Sequence, residues 1–255
     1  MPSFRLIVPA LIALALLGVP QLASAQSFTD TQRGDIETIV RNYLLAHPEV
    51  LEEAMAELSK RQVAADAVKH EASIATNADA IFNSPRGVMV GNKEGDVTFV
   101  EFFDYNCGYC KRAMSDMLDL MKTDSKLKVV LKEFPVLGQG SVEAAQVAVA
   151  VRMQDPTGKK YLDFHQKLLG GRGQADKARA LAAAKDVGLD MAKLEKDMAS
   201  PEAKATIEEN FKLAEEMGMN GTPSYVIGKQ IVVGAVGLDG LKEKISQARC
   251  GKATC

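Results

Sequence analysis

The chain has 255 residues, a formal net charge of -2 at pH 7, 47% hydrophobic residues and no tryptophan. No basic tract with interleaved aromatics occurs, which excludes the usual kind of nucleic-acid surface and leaves nucleic acid out as a partner. Four cysteines are too few for a small disulfide-stapled fold, so each needs its own reason.

In chain order, Arg5 precedes an apolar run from Leu6 to Val19, followed by the small residues Ala23-Ser24-Ala25. This is the pattern of a secretory signal peptide, residues 1-25, cut after Ala25. A membrane anchor is the alternative, but the run falls short of the ~18 apolar residues a span needs. The mature protein is therefore expected in an exported, disulfide-permissive compartment, a bacterial periplasm.

Residues 26-78 read as a helical amino-terminal segment. Thr29 and Asp30 are capping residues, and Ile36, Ile39, Val40, Tyr43 and Leu44 recur at helical spacing. His47-Pro48 interrupts the pattern, and Pro48 suits the first turn of a second helix with a stripe of Val50, Leu51, Ala54, Met55 and Leu58. An apolar stripe outside the main core must be covered. Either it packs on its own domain, or it pairs with identical chains in a homo-oligomer, a dimer or trimer.

Residues 79-255 read as a second domain. Ile81-Phe82 and Val88-Met89-Val90 look like short leading strands, and Val97-Thr98-Phe99-Val100-Glu101-Phe102-Phe103 like a strand covered on both faces. Cys107 and Cys110 follow, and a helix with the stripe Cys110, Met114, Met117, Leu118 and Met121 begins there. Lys128 to Phe134 is the next strand, which completes a βαβ unit. An almost wholly helical stretch, about 141-217, precedes a hairpin of 224-227 and 230-233 and a closing helix, 238-248. The order β-α-β, helical insert, β-β-α is an α/β thioredoxin fold with an all-helical insertion.

A Cys-x-x-Cys serves either as a redox dithiol or as half of a zinc site, whose other half here would be Cys250 and Cys255. Its placement between a core strand and a core helix favours the dithiol, with no metal and no cofactor. At the helix start, unpaired N–H groups and the dipole favour a thiolate on Cys107, while Cys110, facing the core, stays protonated. Glu101, in mid-strand, is either a proton acceptor for Cys110, with Lys132 as a possible counter-charge, or a strand-edge carboxylate reaching solvent. Cys250 and Cys255 at the carboxyl end read as a local disulfide worth at most ~2 kcal/mol, the alternative being a second redox or metal-binding pair. His47, His70 and His165 show no ligand spacing.

Glu101-Phe102-Phe103, the Cys-x-x-Cys, Phe134-Pro135-Val136-Leu137-Gly138 and Gly221-Thr222-Pro223 resemble the DsbA-like thiol:disulfide oxidoreductases over roughly residues 79-248. Within that group, the amino-terminal helices and the FFDYNCGYC context are most similar to the suppressor-of-copper-sensitivity C (ScsC-like) proteins. The resemblance implies a cis peptide at Thr222-Pro223, opposite the cysteines. It makes Thr222, Pro223, Gly108 and Tyr109 the substrate-binding positions. Gly108-Tyr109 between the cysteines, and Thr222 before the proline, look like the DsbC isomerases. The implied activity is an isomerase or reductase acting on disulfides of cysteine-containing exported proteins, kept reduced by a membrane thiol reductase of DsbD/ScsB type. The alternatives are a DsbA-like oxidase and a copper-binding or metal-sequestering protein using the same thiolates.

Overall fold

The computed structural model describes residues 28-255; the expected leader lies outside them. The chain divides into two units, one ending at Ser59 and one running from Lys60 to Cys255. In the first, α1 (Asp30–Ala46) starts at Thr29, which forms a capping box with Gln32. The break falls at His47-Pro48, and α2 (Glu49–Thr76) follows it. Nothing in α1 is buried, and Ile39 (67% exposed), Tyr43, Met55 and Leu58 stand open. No described helix is long and apolar enough to cross a membrane.

The second unit is built on one five-stranded sheet. Its strands are β1 (Val88–Gly91), β2 (Val97–Phe103), β3 (Leu127–Glu133), β4 (Ser224–Ile227) and β5 (Gln230–Val233), in the order β1-β3-β2-β4-β5. Only β2 and β3 run parallel, because α3 (Gly108–Thr123) provides the crossover between them. Both faces of β2 are covered, which is why it reads as an unbroken apolar run. Phe99, Phe103, Val129 and Leu131 face α3 and α9 (Gly237–Cys250); Val100, Phe102, Val130 and Val226 face Ile74, Leu213 and Met217.

Five helices lie between β3 and β4: α4 (Gln139–Gln154), α5 (Lys159–Gly170), α6 (Lys177–Asp186), α7 (Met191–Met198) and α8 (Pro201–Glu216). Helix α4 is their centre and is apolar nearly all round, with Ala144, Val147, Ala148 and Val151 completely enclosed. Asp176, Asp190 and Ser200 each cap a following helix through a side-chain oxygen.

Two local expectations are corrected. Ile81-Phe82 is not a strand but part of a helical turn, Asp79–Asn83, of π type. The chain leaves α2 still helical, with Ile81 N–H donating to the Asn77 carbonyl, and a short apolar run has no period to tell the two states apart. On α3 the buried stripe is Cys110, Ala113, Met117 and Leu120, with Met114, Leu118 and Met121 on its flanks. The expected stripe had Met114, Leu118 and Met121 where the structure buries Ala113 and Leu120.

Candidate active site

The loop between β2 and α3 is held by one buried carboxylate. Asp104 accepts from the Asn106 N–H at 2.7 Å, the Ser141 hydroxyl at 2.7 Å and the Leu137 N–H at 2.9 Å. Asn106 in turn exchanges two hydrogen bonds with the backbone of Ala175 and donates a third to Ser141. The loop is thus tied to the helical insertion immediately before the first cysteine. None of these groups stood out in the sequence, although two polar residues at the end of an apolar strand were a usable signal.

Cys107 is the N-cap of α3, and its sulfur accepts from the Cys110 N–H at 3.4 Å. It also donates to the Thr222 carbonyl at 3.2 Å, across from the cis Thr222–Pro223 peptide. Both cysteines are free thiols; Cys110 is completely enclosed, and Cys107 is 7% exposed. A hydrogen bond from the Cys110 thiol outweighs burial and pulls the Cys107 thiol down to about 5, helped by the Thr222 side chain and the Cys110 and Tyr109 backbone. The same bond, with burial and the charge of Glu101, pushes Cys110 far upward. Tyr109 is exposed, with the Arg112 guanidinium 4.5 Å over its ring, and Gly108 lies beside Cys107 with open space at its Cβ position.

Glu101 is buried on the α3 face of β2, and its carboxyl is pushed up to about 8, first by burial, then by the charges of Cys107 and Asp116. It does not reach solvent as a strand-edge residue. Lys132 is not its counter-charge. Glu101 pairs in register with Leu131, so Lys132 points to the opposite face, where it meets Asn210 and Glu209. Directly across from Glu101 on β4 is Tyr225, a buried phenol whose hydroxyl has no hydrogen-bond partner among the described residues. Glu133 takes the α3 face of β3, and Tyr161 donates to it from the insertion. His165 is packed in a ring cluster with Phe103, Tyr105 and Tyr161, and burial lowers its pKa to about 3.

The two cysteine pairs are not brought together. Cys250 and Cys255 form a disulfide at the end of α9, in a depression shared with Leu120 and Thr123 at the far end of α3 from Cys107. A 16-residue helix is ~24 Å long, so the four sulfurs do not share a zinc ion within this chain.

An acidic thiol held at a helix end, above an inert partner thiol, is suited to exchange with disulfides, and the sheet that carries it has thioredoxin connectivity. The class so defined is the thioredoxin-fold thiol–disulfide oxidoreductases. Residues 98–246 match the family model described as a DSBA-like thioredoxin domain, and residues 32–65 match the copper resistance protein ScsC N-terminal domain. The chain belongs to the DsbA-like thioredoxin family.

A thioredoxin-like oxidoreductase from Silicibacter pomeroyi DSS-3 is 44% identical, over 67% of this chain and 96% of its own, with a TM-score of 0.63. Proteus mirabilis ScsC in a transitional conformation is 28% identical, over 88% of this chain and 98% of its own, also at 0.63. Disulfide bond formation protein D of Bacillus subtilis is 26% identical over 177 residues, 64% of this chain and 78% of that protein. The chain also matches the Na(+)/H(+) antiporter NhaA 1 of Salinispora arenicola at 24% identity, spanning only 24% of that protein's length.

Proposed function

We propose that this is a periplasmic thiol:disulfide oxidoreductase acting on protein disulfides as an isomerase or reductase. The observation that carries the reading is the Cys107 thiol, held at about 5 at the helix end over an enclosed Cys110. At neutral pH Cys107 is a thiolate. It attacks one sulfur of a client disulfide, that S–S bond breaks, and the second client sulfur leaves as a thiolate. The Cys107–client mixed disulfide is resolved by the client's own thiol, which regenerates Cys107 and isomerises the client. Alternatively Cys110 resolves it, its proton passing by way of the Glu101 carboxyl to the departing client thiolate as the Cys107–Cys110 bond forms, which leaves Cys107–Cys110 oxidised and the client reduced. Thr222, Pro223, Gly108 and Tyr109 form the client-contacting rim.

The exported location rests on the leader pattern. A membrane thiol reductase of DsbD/ScsB type is the electron donor that a reductive cycle requires. The exposed stripe of Ile36, Ile39, Val40, Tyr43, Leu51, Met55 and Leu58 supports self-association through residues 26–78, which brings several dithiols to one client.

Insulin reduction and refolding of scrambled ribonuclease test the reading. Wild type is expected to be active in both, Cys107→Ser in neither, and Cys110→Ser is expected to accumulate mixed disulfides. Full activity of Cys107→Ser would overturn the mechanism; oxidation of reduced ribonuclease without reshuffling would make the protein an oxidase. Light scattering of the intact chain checks the oligomer, and a monomeric mass refutes it.

A further inference from the structure

An open groove of about 620 Å³ ends at Cys107, on the side facing the helical insertion rather than the Thr222–Pro223 loop. Leu137, Leu168 and Leu169 give it apolar ground, and Leu137 is half exposed there. Its charged lining is of one sign. Lys111 and Arg172 line it, and no other lining residue is charged; the Asp104 carboxylate lies buried behind Asn106 and Leu137, spent on their N–H groups.

The loop on its far wall, Gly171-Arg172-Gly173-Gln174, is shaped around a third cation. A Cβ on Gly171 would lie 2.4 Å from the Arg179 guanidinium, and one on Gly173 would lie 2.9 Å from it. The two glycines therefore let Arg179 lie against the loop, and Gly173 also has a φ of +79°. Lys111 reaches the loop from α3 and donates to the Gly171 carbonyl at 2.6 Å, which fixes its ammonium at the groove. Arg172 has no ion-pair partner among the described residues.

A mixed chemistry is thereby presented to whatever reaches the thiol, an apolar shelf and the two cations Lys111 and Arg172, with Arg179 packed against the loop. We infer that the groove selects client segments in which the reactive cysteine is flanked by acidic side chains, an extended acidic peptide lying along the loop 171–174. This rests on the exchange chemistry proposed above and names its substrate class. Like-signed charge concentrated in a cleft raises the local concentration of the opposite charge and penalises its own.

The test uses the full reduced protein and three peptides, identical except that a single cysteine is flanked by Glu, Gln or Lys, each as a mixed disulfide with neutral thiopyridine. Cys107 thiolate attacks the peptide sulfur, the peptide–thiopyridine bond breaks, and thiopyridone leaves with the electron pair and is read by absorbance. Cys110 then gives its proton to the departing peptide thiolate as the Cys107–Cys110 bond forms, so the dithiol supplies both electrons. At low salt the Glu peptide is expected to react about tenfold faster than the Lys peptide. Salt at ~0.5 M should largely erase the difference, as screening predicts. Arg172→Gln, with the exposed side chain removed from no packing, should cut the ratio to about twofold, and Arg172→Lys should keep most of it.

Brisk exchange with equal rates for all three peptides, or a preference for Lys, overturns the selectivity and leaves the thiol chemistry standing. A Glu preference unchanged in the Arg172→Gln, Lys111→Gln double variant overturns the groove as its source. No exchange with any peptide overturns both this inference and the dithiol reading beneath it.

Discussion

Glu101→Gln should stabilise the reduced protein at pH 7 by about 3 kcal/mol more than at pH 4, and the figure follows from where the carboxyl is buried. Its folded-state value is about 8 against an ordinary 4.5, so between those limits the folded state binds the proton and the unfolded state has lost it. Wild-type stability therefore declines as pH rises through that window and levels off above about 8. At pH 7 the chain has moved about 2.5 units into the window, and at ~1.36 kcal/mol per unit this comes to about 3 kcal/mol. At pH 4 nearly nothing has been lost. The glutamine amide, buried in place of the neutral acid, costs a roughly constant ~1–3 kcal/mol at both pH values, so it cancels in the comparison.

Urea unfolding of both proteins under reducing conditions at pH 4 and pH 7 measures the difference directly. In the oxidised protein the Cys107 thiolate no longer repels the Glu101 charge, so the pH-dependent gain should shrink. A Glu101→Gln effect equal at the two pH values within ~0.5 kcal/mol would refute a neutral buried Glu101.

Alkylation of Cys107 by iodoacetamide should be half-maximal near pH 5 and flat above pH 7, and Cys110→Ala should move the midpoint up because it removes the largest stabilising hydrogen bond; a wild-type midpoint near 8 refutes the assignment. Asn106→Ala deletes the paired bonds to Ala175 and should destabilise the second unit by about 2 kcal/mol in urea unfolding, an unchanged midpoint being the contrary result. Cys250→Ser with Cys255→Ser should lose at most ~2 kcal/mol and leave the Cys107 alkylation midpoint where it was, since the pair lies beyond the far end of α3.

What the sequence determined by itself was whatever depends on neighbours along the chain. Thr29 and Pro48 mark helix starts, the β-branched and aromatic run 97–103 marks a strand enclosed on both faces, and Cys107 at the end of that strand marks a thiol at a helix amino terminus. These are short-range matters of capping, periodicity and spacing, and the thioredoxin order of elements follows from them. Ile81-Phe82 went wrong on the same logic, because two apolar residues carry no period and the chain ahead of them was still helical.

The tertiary structure decided which groups face one another. Register puts Lys132 on the other side of the sheet from Glu101 and sets Tyr225 opposite it, and no count along the sequence gives that parity until the pairing of β2 with β3 and β4 is known. Asp104, Asn106 and Ser141 meet across 37 residues or fewer, Asn106 and Ala175 across 69, and Lys111 meets Gly171 across 60. Those contacts exist because the helical insertion folds back over the active-site loop. A groove beside Cys107 is a product of that closure, and its charge belongs to residues that are remote from the cysteines in the chain.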